Sequence, residues 1–205
     1  YASSLAALRE SESDLGSICI DIQKNQTYLS YTFDNQLIGF DSVKIGTFHF
    51  ANDISQIKSI SINESETYRK KYDTHNFDKK RNTADEQIYQ IYLSRAEELA
   101  EVIFSLIQKS RFRDLTENNI ILTGYGSKSQ IFNKILSLKL KNSNFRVGAT
   151  LKLNGPKRYI DNPSFTSSCG LLIYVVNHDL EVSIHEKNTK KRTIISIIYS
   201  FFRSL

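Results

Sequence analysis

Residues 18–33, ICIDIQKNQTYLSYTF, constrain the fold more than any other stretch of the chain. An apolar run carrying one acid (18–22) is followed by an alternating run of Tyr, Leu and Phe (27–33), so the pair reads as two strands around a polar tip. Asp21 stands near the end of the first strand, the position of the acid in a hairpin that grips phosphate. Such tips are normally glycine-rich, because backbone N–H groups approach an anion closely only where side chains are absent. Here the tip is Gln23, Lys24, Asn25 and Gln26. The hairpin is therefore either a nucleotide site or the remains of one.

The surrounding pattern is α/β. A third strand follows by residue 43, with Asp34 and Asn35 marking its turn. Asn52 or Asp53 is the expected cap of the next helix, and Asn63 opens a short one that Arg69, Lys70 and Lys71 close. Residues 74–84 read as a loop, and 85–109 as a long amphipathic helix with Ile88, Ile91, Tyr92, Leu99, Val102, Ile103 and Leu106 in period. NNIILTGYGSKSQIFNKILSLKL is strand, glycine turn and helix, FRVGATLKL a strand, and SFTSSCGLLIYVV a helix. Residues 1–14 read as a helix leading into a linker. No internal repeat is visible.

Composition excludes little. With 205 residues, 40% of them hydrophobic, and 11 Tyr and 12 Phe, the chain holds a packed core and is not disordered. A charge of +5 suits nucleic acid, an anionic membrane or a plain soluble protein, and the richness in Ile, Lys and Asn fits an AT-rich genome. The absence of Met is expected of a chain lacking an N-terminal part. No secretory leader is read, and no apolar run reaches the roughly 20 residues of a spanning helix. Cys19 and Cys169 lie in apolar surroundings without metal-ligand spacing, as in a reduced cytoplasmic protein. His49, His75, His178 and His185 are scattered, so no metal site is expected. Ser168-Cys169-Gly170 is not a nucleophile elbow, and no catalytic residue is expected. The Lys-rich patches lack the aromatic interleaving of a nucleic-acid platform, so no nucleic acid is expected as a partner.

Hairpins followed by strand, glycine turn and helix suggest the nucleotide-binding half of an actin-like ATPase, which grips phosphate at hairpin tips and holds adenosine against a glycine-rich turn. The order of segments is more specific. YASSLAALRESESDLGSICIDIQKNQT, VKIGTFHFANDIS, ETYRKKYDTH, SRAEELAEVIFSLI, IILTGYGSKSQIFNKI, FRVGATLKLNG and NPSFTSSCGLLIY resemble, in order, segments of the bacterial actin-like division protein family FtsA. The resemblance covers nearly the whole chain. It implies the actin-like ATPase (ribonuclease H-like) α/β fold, seen as the C-terminal half, with a C-terminal amphipathic helix. Residues 15–59 and 116–176 would form subdomain 2A, 60–115 subdomain 2B, 177–191 a linker and 192–205 the terminal helix.

On the family's pattern, Asp21 and Thr27 stand for the acid and last Thr of the second phosphate loop, D-[IM]-G-G-G-T-T, with Lys24 at its tip. Gly46 belongs to the next segment, where Thr47 replaces a glycine and Ala51 a threonine, and Gly124 and Gly126 flank Tyr125 in the adenosine turn. Those six residues would hold ATP and Mg, and the loss of the tip glycines weakens or abolishes the site. Arg95 interrupts the apolar stripe of helix 85–109, with Glu98 a turn away. A side chain snorkelling to water is the plain reading of Arg95. The pair also resembles an Arg and a Glu on the FtsA helix that receives the C-terminal tail of FtsZ, with Arg69, Lys70 and Lys71 adding positive charge.

The last segment carries a signal of its own. In KNTKKRTIISIIYSFFRSL, residues 187–205, Lys190, Lys191 and Arg192 precede Ile194, Ile195, Ile198, Phe201, Phe202 and Leu205 on one broad helical face. Basic residues before an apolar-aromatic face describe a helix lying in the headgroups of an anionic leaflet. The alternative is a final helix packed on the protein's own core. The resemblance thus implies a non-enzymatic, peripheral protein on the cytoplasmic side of the inner membrane at the division septum. It would tether FtsZ filaments and self-associate. The rivals are an active actin-like ATPase or sugar-kinase relative, and a soluble interaction domain without a membrane role.

Overall fold

The computed structural model describes residues 1–74 and 83–177. In chain order these form α1 (Ala2–Ala7), α2 (Glu10–Leu15), β1 (Ser17–Ile22), β2 (Thr27–Phe33), β3 (Gln36–Val43), α3 (Thr47–Lys58), α4 (Ile62–Asp73), α5 (Thr83–Lys109) and α6 (Arg113–Thr116). Then come β4 (Asn119–Thr123), a 3₁₀ turn (Tyr125–Lys128), α7 (Gln130–Lys139), β5 (Asn144–Val147), α8 (Lys157–Ile160), a second 3₁₀ turn (Pro163–Phe165) and α9 (Thr166–Asn177). The expected terminal helix and almost all of the linker before it lie outside the described residues.

The strands make one mixed sheet in the order β3-β2-β1-β4-β5. β1, β2 and β3 are an antiparallel meander, whereas β1–β4 and β4–β5 pair in parallel. Asp34 and Asn35 both take left-handed backbone, φ 50° and 57°, which Asp and Asn tolerate and a tight hairpin turn between right-twisted strands requires.

β1 is buried along its whole length, and its alternation sorts it between two layers. Ile18, Ile20 and Ile22 join the main core with Phe50 and Ile54 of α3, Tyr92, Leu99 and Ile103 of α5, and Ile131 and Phe132 of α7. Cys19 faces the other way, onto Ala7, Leu8 and Ile121. Asp21 shares that second face by the same period of two, and so points toward the side that carries α1.

Three expectations are corrected. Residues 1–14 are not a helix running into a linker: α1 packs against α9 with Ala6, Cys169 and Ile173 in one cluster, and buried Glu12 of α2 pairs with Arg146 of β5. The helix expected to start at Asn52 or Asp53 starts at Thr47, because its first N–H groups are capped from a distant hairpin, a partner no local signal announces. α4 is capped by Ser61, whose hydroxyl accepts from Glu64 N–H, rather than by Asn63.

Candidate functional site

The end of β1 gathers the residues that the phosphate-loop reading singled out. Asp21 Oδ2 accepts from the hydroxyls of Ser3 in α1 and of Ser167 in α9, the latter at 2.7 Å. Its Oδ1 accepts from the Gln23 side-chain amide at 2.6 Å, and that amide also lies 3.3 Å from Ser167 Oγ. Both carboxylate oxygens are thus engaged, and Asp21 is only 7% exposed. A shallow cleft of about 230 Å³, lined by Tyr1, Ser3, Asp21, Gln23, Tyr28 and Ser167 among others, opens beside this cluster.

The hairpin tip is tied down by its carbonyls. Thr47 N–H donates to the Gln23 carbonyl at 3.0 Å and Phe48 N–H to that of Lys24 at 2.8 Å, so the tip caps the start of α3. Gly46 makes this approach possible: a Cβ there would sit 2.5 Å from the Gln23 carbonyl oxygen and 2.6 Å from that of Lys24. Thr27 is fully buried, and its hydroxyl donates to the Ile45 carbonyl at 2.8 Å, where it serves the fold. Lys24 is exposed, its ammonium 5.8 Å from the centroid of the Phe48 ring.

The glycine turn closes on the same strand end. Gly124 has φ +82°, its N–H donates to the Pro163 carbonyl at 3.1 Å, and a Cβ would lie 2.2 Å from Asp21 Oδ1. Gly126 packs against the Ile22 side chain. Between them Tyr125 carries the Arg69 guanidinium of α4 at 5.2 Å from its ring centroid.

Arg69 is 1% exposed and lies at the hub of a buried polar network. It donates to both oxygens of Glu66 at 2.7 Å and to Asp73 at 2.5 Å, while the Tyr92 hydroxyl donates to Asp73 at 2.6 Å and lies 2.6 Å from Ser129 Oγ. Burial works against the Arg69 charge, but the two carboxylates outweigh it and hold its pKa above the usual range. Burial dominates at Asp73 and raises its pKa, although Arg69 and Tyr92 pull the other way. Burial likewise raises the pKa of Tyr92, with the Asp73 charge beside it adding to the shift. Arg69 therefore adds no positive charge to the surface of α4, against expectation.

The residues singled out for a protein partner lie on α4 and α5. Arg95 is 22% exposed, pairing with Asp53 of α3 at 2.5 Å and with Glu98 at 2.6 Å. The Asp53 hydrogen bond is the chief cause of its raised pKa. Lys70 is exposed and approaches Glu66 at 4.0 Å. Lys190, Lys191, Arg192, Ile194, Ile195, Ile198, Phe201, Phe202 and Leu205 lie outside the described residues.

Sequence reasoning missed Ser3, Ser167 and the Arg69 network. The spacing of Glu66, Arg69 and Asp73, three and four apart on a helix, was a usable signal for the network. Nothing local marks Ser3 or Ser167, which reach Asp21 across 18 and 146 residues.

No protein-family model matches the chain. Among curated proteins it is 27% identical over 209 residues to the cell division protein FtsA of Agrobacterium fabrum, covering 89% of this chain and 45% of that protein. It is 28% identical over 208 residues to FtsA of Rhizobium meliloti, covering 88% of this chain and 45% of the relative. The chain is similar to FtsA along most of its length. It spans about half the length of the curated relatives it matches. Among solved structures, MreB 5 of Spiroplasma citri bound to AMPPNP superposes with TM-score 0.66 at 16% identity, over 89% of this chain and 60% of that one. A chain of the PilM–PilN type IV pilus biogenesis complex gives 0.64 at 18%, over 85% and 51%. These neighbours fix the fold as that of the actin-like ATPases, in agreement with the expectation drawn from the FtsA-like segments.

The residues at the end of β1 do not fit a phosphate cradle. The tip bears four side chains, its Gln23 and Lys24 carbonyls face the α3 amides, and the acid is surrounded by donors from its own chain.

Proposed function

We propose that this chain is the C-terminal half of an FtsA-like division protein that tethers FtsZ filaments to the cytoplasmic face of the inner membrane at the septum. The observation that carries the reading is the similarity to FtsA along nearly the whole chain. In this reading residues 15–59 and 116–176 form subdomain 2A, and residues 60–115 form 2B. Arg95 and Glu98 receive the acidic FtsZ tail, Lys70 of α4 adding positive charge, and the exposed part of the Arg95–Glu98 pair gives an incoming carboxylate a guanidinium to share. Residues 192–205 lie in the anionic leaflet, the preceding Lys190 and Lys191 each contributing about 1 kcal/mol near such a surface. Among the described residues no helix is long and apolar enough to cross a membrane. Self-association multiplies the two weak attachments, because linked contacts act at high effective concentration. The protein acts as a scaffold rather than an enzyme, with a degenerate nucleotide site.

Two measurements test this. A soluble carrier fused to residues 189–205 floats with anionic vesicles and not with neutral ones; failure to float removes the membrane role and favours a soluble interaction domain. An FtsZ tail peptide binds the full-length protein, and Arg95→Glu weakens it at least about tenfold, the effect expected of truncating a shared charge contact. Equal binding by the variant removes Arg95 from the interface.

A further inference from the structure

We propose that this protein satisfies the polar groups at the end of β1 with its own side chains and takes no nucleoside triphosphate, Asp21 tying the hairpin to α1 and α9 in place of a ligand, with Gln23 holding its second oxygen. The inference deepens the scaffold reading and rests on the likeness of the hairpin segment to FtsA, not on a role in division, so it stands or falls apart from that role.

On the FtsA pattern Gln23 stands where the phosphate loop has a glycine, and its amide turns back to Asp21 Oδ1 at 2.6 Å and toward Ser167 at 3.3 Å. Ser3 and Ser167 take Oδ2. A water on a bound cation would have to displace one of these donors, and hydrogen bonds to an ionised group are the stronger kind. The start of a helix would otherwise offer its N–H groups to an anion, but those of Thr47 and Phe48 are spent on the Gln23 and Lys24 carbonyls.

The nearest buried cation is not available either. Tyr125 of the glycine turn meets the Arg69 guanidinium, which is neutralised by Glu66 and Asp73 and buried, so it offers no charge to a phosphate. Lys24 remains, an exposed and flexible point charge. One lysine does not replace a row of backbone donors.

The consequence is mechanical. Ser3, Asp21, Gln23 and Ser167 tie the base of the hairpin to α1 and α9 with protein groups alone. That tie is then independent of nucleotide.

Calorimetry and thermal melting of the full-length protein with MgATP and MgADP test the claim directly. At about 1 mM nucleotide no heat and no shift of Tm are expected, whereas a ligand in large excess over its Kd raises Tm measurably. Binding tighter than about 100 μM overturns the inference. The lock itself is read by amide exchange: Gln23→Ala and Ser167→Ala should each speed exchange in the hairpin and the first turn of α9 by about tenfold, as loss of a local tie does. Unchanged exchange in both variants overturns the lock, and the wild-type calorimetry decides the matter even where a variant fails to fold. Vesicle flotation and peptide binding do not enter, so a failed division role leaves this outcome unaltered.

Discussion

Replacing Arg69 with methionine should cost far more than losing a surface cation, and the cost should depend on pH in a direction the geometry sets. Arg69 is 1% exposed and holds Asp73 at 2.5 Å and Glu66 at 2.7 Å. Removing one partner of a buried pair leaves an uncompensated charge and typically costs about 3–5 kcal/mol. The Glu66 side chain is 34% exposed and can turn to water, so the penalty falls on Asp73, whose side chain is 10% exposed. That places Arg69→Met near the lower end, about 3 kcal/mol. Burial already raises the Asp73 pKa above its ordinary 3.8, with the Arg69 charge the leading influence opposing it. Without Arg69 the folded-state pKa rises further. A carboxyl raised in the folded state favours folding below its unfolded pKa and loses that contribution as pH climbs through the folded value. The variant should therefore be only mildly destabilised near pH 4 and fully so at neutral pH, while Arg69→Met with Asp73→Asn recovers much of the loss. Urea unfolding at the two pH values reads this directly. A neutral-pH loss below about 1 kcal/mol, the worth of an ordinary surface pair, refutes the reasoning. So does a loss that does not change with pH.

Other expectations follow from single contacts. Burial raises the Glu12 pKa, but the hydrogen bonds from Arg146 and from Arg9 N–H outweigh it and leave the value lowered. Glu12 thus stabilises the fold above its unfolded pKa and loses that contribution as pH falls through the folded one; Glu12→Gln should cost about 2 kcal/mol at pH 7 and flatten the acid limb of a stability curve. Gly124, at φ +82° and ψ −175°, sits in backbone space that is essentially glycine's alone, so Gly124→Ala should cost at least about 2–3 kcal/mol, or prevent soluble expression. Desolvation raises the Cys19 thiol to about 12, and Cys19 is 1% exposed. A thiol-disulfide reagent at pH 8 should leave it unmodified until urea unfolds the chain, and prompt labelling of the native protein would contradict its burial.

What the sequence made legible was periodic. The alternation from Ile18 to Phe33 gave β1 and β2, the apolar stripe of residues 85–109 gave α5, and Gly124 marked the turn after β4. What it hid was supplied from far along the chain. α3 starts six residues before Asp53 because the carbonyls of Gln23 and Lys24 cap it, and caps of that kind leave no signature near the helix. α1 reads as an approach to a linker because six residues cannot bury themselves; Leu153 and, further on, Cys169 and Ile173 of α9 give Ala6 its partners. Arg95 was rightly seen to interrupt the stripe, yet neither the snorkelling nor the partner reading foresaw its pairing with Asp53 of α3.

The site at the end of β1 shows how one change of residue type spreads. Period two turns Asp21 to the face of Cys19, toward α1, which is why Ser3 can reach it. A glycine at 23 would leave Oδ1 without the amide that now holds it, but both serines would still occupy Oδ2. The tip carbonyls would also still point at α3, since that contact uses backbone rather than side chain. Glycine at that one position would therefore free one oxygen of one carboxylate and no row of donors. Groups that share a partner in this way act non-additively. On the inference above, a phosphate cradle at this strand end would require several coupled substitutions, each loosening the ties to α1 and α9 before any ligand could compensate.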